Sequence, residues 1–285
     1  MPMGVARHPW FSDPACASIA TAGATRGPGN LGLRRRAGKE LGTCPDVARW
    51  LALWSLLLIS AVACPLQARS GADPERVEVV DMDATDVYRL ALLKMKGHLS
   101  VARALVQLRA PGADYYMRQP VQAIFRNTEA EFERRNAPFT ADTLRQLEHA
   151  SAGDPATTLA TIESVVTAID GSFAQTGAMD ADSVLALSLA LLREAVARYA
   201  EAVTDNEVVD LRKFQSGRGF ANEAEALVRY SSALKGRPGH EKLLDVVALI
   251  GQSWPAVIPP AIVFDPPSVA ERLDEAVAAM DELRE

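Results

Sequence analysis

The residue with the widest chemical range in this chain is His98, which follows Gly97 inside an apolar periodic stretch. Glycine there costs a helix about 1 kcal/mol against alanine, so its presence points to a close approach by another helix. An imidazole at such a contact can ligate a metal or carry a proton. The plainer expectation is a histidine at the edge of an apolar face, bonded to a backbone carbonyl. Glu129 and Glu133 on the next helix are the carboxylates that would join His98 in a site for iron, copper or zinc. Tyr115-Tyr116-Met117-Arg118-Gln119-Pro120 forms a second grouping, expected in the first interhelical loop. Its phenols and guanidinium suit a carboxylate ligand; the alternative is one tyrosine packed inward and the other covering the bundle. The expected ligand set is His98, Tyr115, Tyr116 and the distant cation Arg218.

Other chemistries lack their residues. His149 and His240 lie near expected helix ends, and the paired Glu-x-x-His of a di-iron bundle and the His-Glu-x-x-His of a zinc protease are missing. There is no Gly-x-Ser-x-Gly elbow, and Gly217-Arg218-Gly219 lacks the Lys-Ser/Thr of a phosphate loop. Glu129, Glu131 and Glu133 also fit a solvated helix face. A binding or interaction protein is expected before an enzyme.

The elements that must hold these groups read as helices. Leu90, Leu93, Gly97, Val101 and Leu108 share one face, and Leu92, Met95, Leu99, Ala102 and Val106 share nearly the opposite one. A helix with two apolar faces lies between neighbours. A second helix is expected after Pro120, a short one to Ala150, and another from the cap-like Asp154-Pro155. Asp180-Ala-Asp182 opens the most apolar segment, Val184 to Leu192, which is too short to span a membrane. Asp205-Asn206 suits a turn, the glycines at 217 and 219 weaken helix locally, and Gly236-Arg237-Pro238-Gly239 breaks it. After a helix from His240, five prolines between Pro255 and Pro267 impose an extended strap, expected to cover an apolar groove that receives a ligand or partner. The last helix runs from about Ser268 to Leu283. The expected fold is all-α, a single irregular bundle of about seven or eight helices over residues 69–285.

Upstream, residues 1–46 carry no apolar periodicity and are expected to be disordered or to lie before the true start. Arg49, the apolar run Leu51–Ala63 and Ala68 have the order of a signal peptide over residues 47–68, with cleavage after Ala68. The alternatives are a lipidated Cys64, giving a membrane-anchored lipoprotein, and an uncleaved but short anchor. The prefix holds all three cysteines, so the exported part has no thiol chemistry. It retains 23 basic and 33 acidic residues, a net charge of −10, which disfavours nucleic acid and anionic membranes.

Gly97-His98-Leu99, Gln119-Pro120 and the Tyr199–Phe220 stretch with Phe214-Gln215 and Arg218-Gly219-Phe220 resemble a group of exported, all-helical proteobacterial proteins of unassigned function. The resemblance implies a periplasmic helical domain. Histidines in some of that group stand where this chain has Tyr115, Tyr116 and Gln119, so it does not imply their metal binding here.

Overall fold

A computed structural model describes residues 82–137, 141–150 and 154–285. The expectations for residues 1–46 and 47–68, including Ala68 and Cys64, lie outside the described residues.

The expected helices form. Helix α1 (Ala84–Gln107) starts at Asp83, whose carboxylate accepts from the amides of Thr85 and Asp86 at 2.7 and 2.8 Å. After a turn come α2 (Ala113–Gln119), a π-helical segment (Pro120–Phe125) and α3 (Arg126–Arg134), joined in one unbroken helical run. Helices α4 (Ala141–Ala150), α5 (Pro155–Gln175) and α6 (Ala181–Ala202) follow, α5 and α6 capped by Asp154 and Asp180. Then come α7 (Leu211–Tyr230), α8 (His240–Gly251) and α9 (Pro266–Glu282). Counting the joined run once, the described residues hold eight helical rods, an all-α fold. The only strands among the described residues are β1 (Val203–Thr204) and β2 (Glu207–Val208). Between them Asp205 and Asn206 both take positive φ, 52° and 63°, as a tight hairpin of this length requires.

Two apolar clusters divide the bundle. One gathers α6, α7, α8 and α9 around Leu189, Tyr199, Phe214 and Trp254. The other gathers α1 to α5 around Tyr88, Met95, Leu99, Tyr116 and Phe132. Helix α1 borders both, with Leu93 in the first and Leu92, Met95 and Leu99 in the second, as its two apolar faces require.

Two stretches depart from expectation. Gly217 and Gly219 do not weaken α7; they are its contact points. A methyl group added at Gly219 would lie 2.3 Å from the Gly97 carbonyl oxygen, and one at Gly217 would lie 3.0 Å from the Ala195 carbonyl oxygen and from the Trp254 ring. The α1 and α6 backbones therefore approach α7 to within the space a side chain would take. The other correction concerns Tyr115-Tyr116, which lie on helix α2 and not in a loop. Pro120 does not start the next helix but sits inside the run. It has no N–H and its ring would crowd the preceding turn of an α-helix, and the wider π-helical turn begins at this residue.

Candidate functional site

Three elements meet around His98: the middle of α1, the tyrosines of α2 and the first half of α7. The Gly97–Gly219 crossing brings them into register, because the residue after each glycine is aromatic and faces the seam. The His98 ring stacks on Tyr116 with 6.2 Å between centroids and meets Phe220 edge-on at 5.1 Å. His98 is only 4% exposed, and its Nδ1 has no hydrogen-bond partner. Burial, reinforced by the Arg198 guanidinium, lowers its pKa to about 3, so the ring is neutral at ordinary pH. The expected bond from His98 to a backbone carbonyl is not found on Nδ1; that arrangement occurs at His240, whose Nε2 lies 3.0 Å from the Val228 oxygen.

The carboxylates expected to join His98 are elsewhere. Glu129 and Glu133 are solvent-exposed on α3, and among the described residues no group of three His, Cys, Asp or Glu side chains is placed to hold a metal ion. Arg218 is half-buried in mid-α7 and does not line the cleft described next. The acidic group of Asp83, Asp86, Asp180 and Asp182 is largely committed, to two helix caps and to the buried Arg89–Asp86 pair at 2.9 Å.

Tyr115 and Tyr116 do meet other polar groups. They line a cleft of about 660 Å³ between α2 and the start of α7, bordered by Arg118, Gln122, Arg212 and Gln215. Tyr115 packs edge-on against Tyr116, and the Arg212 guanidinium lies over the Tyr115 ring at 4.5 Å. A guanidinium held over an aromatic face keeps its N–H donors, which are suited to a carboxylate. Arg212 has no carboxylate within ion-pair distance among the described residues. Asp210 is occupied as the α7 cap, accepting from the amides of Arg212 and Lys213 at 3.0 and 3.1 Å. Arg118 pairs with Asp114 across 3.5 Å, both well exposed. At the lip, Val209 and Leu211 are 65% and 48% exposed.

The floor is a hydrogen-bonded string. The Tyr116 hydroxyl has two acceptors for its one proton, Gln215 Oε1 at 2.8 Å and the Arg212 carbonyl oxygen at 3.1 Å, and Gln215 Nε2 donates to the Val257 carbonyl oxygen at 2.7 Å. Burial, then the neighbouring Tyr115, pushes the Tyr116 phenol well above its ordinary pKa, so it stays a neutral donor. Of the expected ligand set, His98, Tyr115 and Tyr116 are thus contiguous, and Arg212 and Arg118 stand where Arg218 was expected. Gln215 and Arg212 escaped the sequence reading, since helical spacing says only that they share a face of α7 with Ser216 and Gly219. The one available signal was Phe214-Gln215 within the stretch that carries the resemblance.

A second polar cluster, buried at Lys96 and Glu223 and reaching the surface at Asp170, ties α1, α5 and α7 together. Lys96 Nζ lies 2.8 Å from Asp170 Oδ1 and 3.8 Å from Glu223 Oε2. Burial raises the Glu223 pKa against the pull of Lys96; for Lys96, burial acts to lower the pKa but the two carboxylates prevail and raise it.

The extended strap, residues 255–265, does not roof an empty groove. It fills the groove itself: Val257 and Val263 are buried, as is Trp254 just before it, against Tyr199 at 5.0 Å.

No family model, curated protein or solved structure matches the chain.

Proposed function

We propose that this chain is an exported, non-enzymatic helical protein that binds a small carboxylate with an apolar body in the cleft between α2 and α7. One observation carries the reading: the Arg212 guanidinium lies over the Tyr115 ring with no carboxylate within ion-pair distance among the described residues, at a cleft whose other polar side chains include Arg118, Gln122 and Tyr116. The volume, about 660 Å³, is in the range that encloses small ligands. The exposed Val209 and Leu211 supply an apolar contact beside the charge. No described histidine or cysteine lines the cleft, which favours holding a ligand over transforming it. Export rests on the order of residues 47–68.

Calorimetry and thermal-shift titration with octanoate, benzoate and the neutral octanamide test the binding. The acids bind, octanamide does not, and Arg212→Gln removes the response; equal behaviour of octanoate and octanamide, or of wild type and variant, overturns the reading. N-terminal sequencing of periplasmic protein tests export: a chain starting after Ala68 supports it, and one retaining Trp10 refutes it.

A further inference from the structure

Gln215 belongs at once to the cleft and to the strap. Its amide orientation is settled by chemistry, because the Val257 carbonyl can only accept; Nε2 must face it, leaving Oε1 for the Tyr116 hydroxyl. The hydroxyl has one proton and two acceptors, Gln215 Oε1 and the Arg212 carbonyl oxygen. The strap has two further fastenings. The Val263 amide donates to the Asn206 carbonyl oxygen at 2.9 Å, and the Tyr199 hydroxyl donates to the Phe264 carbonyl oxygen at 2.8 Å. Its inner side chains are packed, whereas Ile258 and Ile262 are 54% and 75% exposed.

We propose that the strap is coupled to the cleft through Gln215, with opposite sign: a carboxylate that accepts the Tyr116 hydrogen bond unfastens Gln215 from Val257 and loosens residues 255–265. Once the hydroxyl turns to the ligand, Gln215 Oε1 is left buried without a donor, a state costly enough that the amide reorients toward the cleft. Reorientation withdraws Nε2 from the Val257 carbonyl. The strap keeps its Asn206 and Tyr199 fastenings, so it loosens without leaving the bundle. Linkage makes the effect reciprocal: whatever loosens the strap from elsewhere strengthens ligand binding by the same factor. The direction of the ligand's effect rests on the cleft being the binding site; the string from Tyr116 to Val257 stands apart from that reading.

Hydrogen–deuterium exchange on the full chain, read in peptides covering the strap and, as reference, α9, tests the coupling. Without ligand, Tyr116→Phe speeds strap exchange about three- to tenfold, the equivalent of one net hydrogen bond, and leaves α9 unchanged. Octanoate produces the same change in wild type and none in Gln215→Leu. Tyr199→Phe, outside the cleft, loosens the strap from its other end and tightens octanoate binding about threefold by calorimetry. Unchanged strap exchange in Tyr116→Phe, or, where octanoate binds the wild type, unchanged octanoate affinity in Tyr199→Phe, overturns the coupling. Should Tyr116→Phe not fold, Tyr199→Phe alone decides. Faster strap exchange in Tyr116→Phe without octanoate binding supports the coupling and removes the carboxylate reading.

Discussion

Gly219→Ala is the substitution that most directly interrogates the scaffold of the cleft. By intrinsic propensity it stabilises, because alanine in mid-helix is worth about 1 kcal/mol over glycine. The structure demands the opposite. The new methyl would sit 2.3 Å from the Gly97 oxygen and 2.8 Å from its carbonyl carbon, where ordinary contact begins near 3.4 Å. The two helices would have to part by about 1 Å, and both contacted atoms are backbone, so no rotamer change relieves them. Overpacking of this kind costs about 3 kcal/mol, leaving a net loss of about 2 kcal/mol after the propensity gain. For a domain of this length that lowers Tm by about 4–8 °C. Urea and thermal unfolding followed by circular dichroism measure it. Gly217→Ala, with 3.0 Å to Ala195 and Trp254, should fall between Gly219→Ala and wild type, and Gly177→Ala, at φ 82° in open space, should show only backbone strain of about 1 kcal/mol. If Gly219→Ala is as stable as wild type or more so, α1 and α7 do not cross here and the placement of His98 against Tyr116 and Phe220 loses its cause.

Further expectations concern buried charge. Because the folded pKa of His98 is lowered to about 3, the unfolded chain takes up a proton between pH 6.5 and 3 that the native state refuses, and stability falls as pH drops through that window. His98→Phe removes this slope, so its stability relative to wild type rises by about 1.4 kcal/mol per pH unit at most between pH 6 and 4; a constant difference over that range counts against a buried neutral ring. Glu223 has the opposite sign: its pKa is raised on folding, so ionising it costs stability as pH rises, and Glu223→Gln should gain on wild type toward pH 7 in denaturant titrations. Asp170→Asn, which takes from Lys96 its closer carboxylate at 2.8 Å, should cost about 1 kcal/mol at pH 7, and a larger loss in Glu223→Gln than in Asp170→Asn at that pH would refute the assignment of roles.

Much of the architecture is readable from residue order. The placing of α1 between two apolar clusters, the Asp154 cap of α5 and the Asp205-Asn206 turn depend on local spacing and local hydrogen bonds and form as expected, except that Val101 packs with Leu92, Met95 and Leu99, and Leu108, past the helix end, is exposed. The misreadings arise where tertiary packing reverses a local preference. Glycines 217 and 219 look like helix breakers until two other helices are seen to occupy the space their side chains would need. Pro120 looks like a helix start because nothing in the sequence announces a π-helical turn. The cleft was half visible: adjacent tyrosines advertise themselves by type, but Gln215 acquires its role from partners 99 and 42 residues away, a separation no periodicity encodes. Glu129 and Glu133 are expected beside His98 because they fall on the next helix, but α3 displays them to solvent.

The π-helical turn at Pro120–Phe125 also bears on how this chain tolerates changes of length. Such a turn is an α-helix holding one surplus residue, absorbed locally so that the flanking helices keep the facing they would have without it. Removing one residue between Val121 and Ala123 should therefore leave the tyrosines of α2 and Phe132 of α3 oriented as they are, but would return Pro120 to an ordinary helical turn that cannot accommodate its ring. The proline and the surplus residue thus form a matched pair. Deletion alone is expected to be harmful, and deletion combined with Pro120→Ala benign, so two lesions together should be milder than the first by itself.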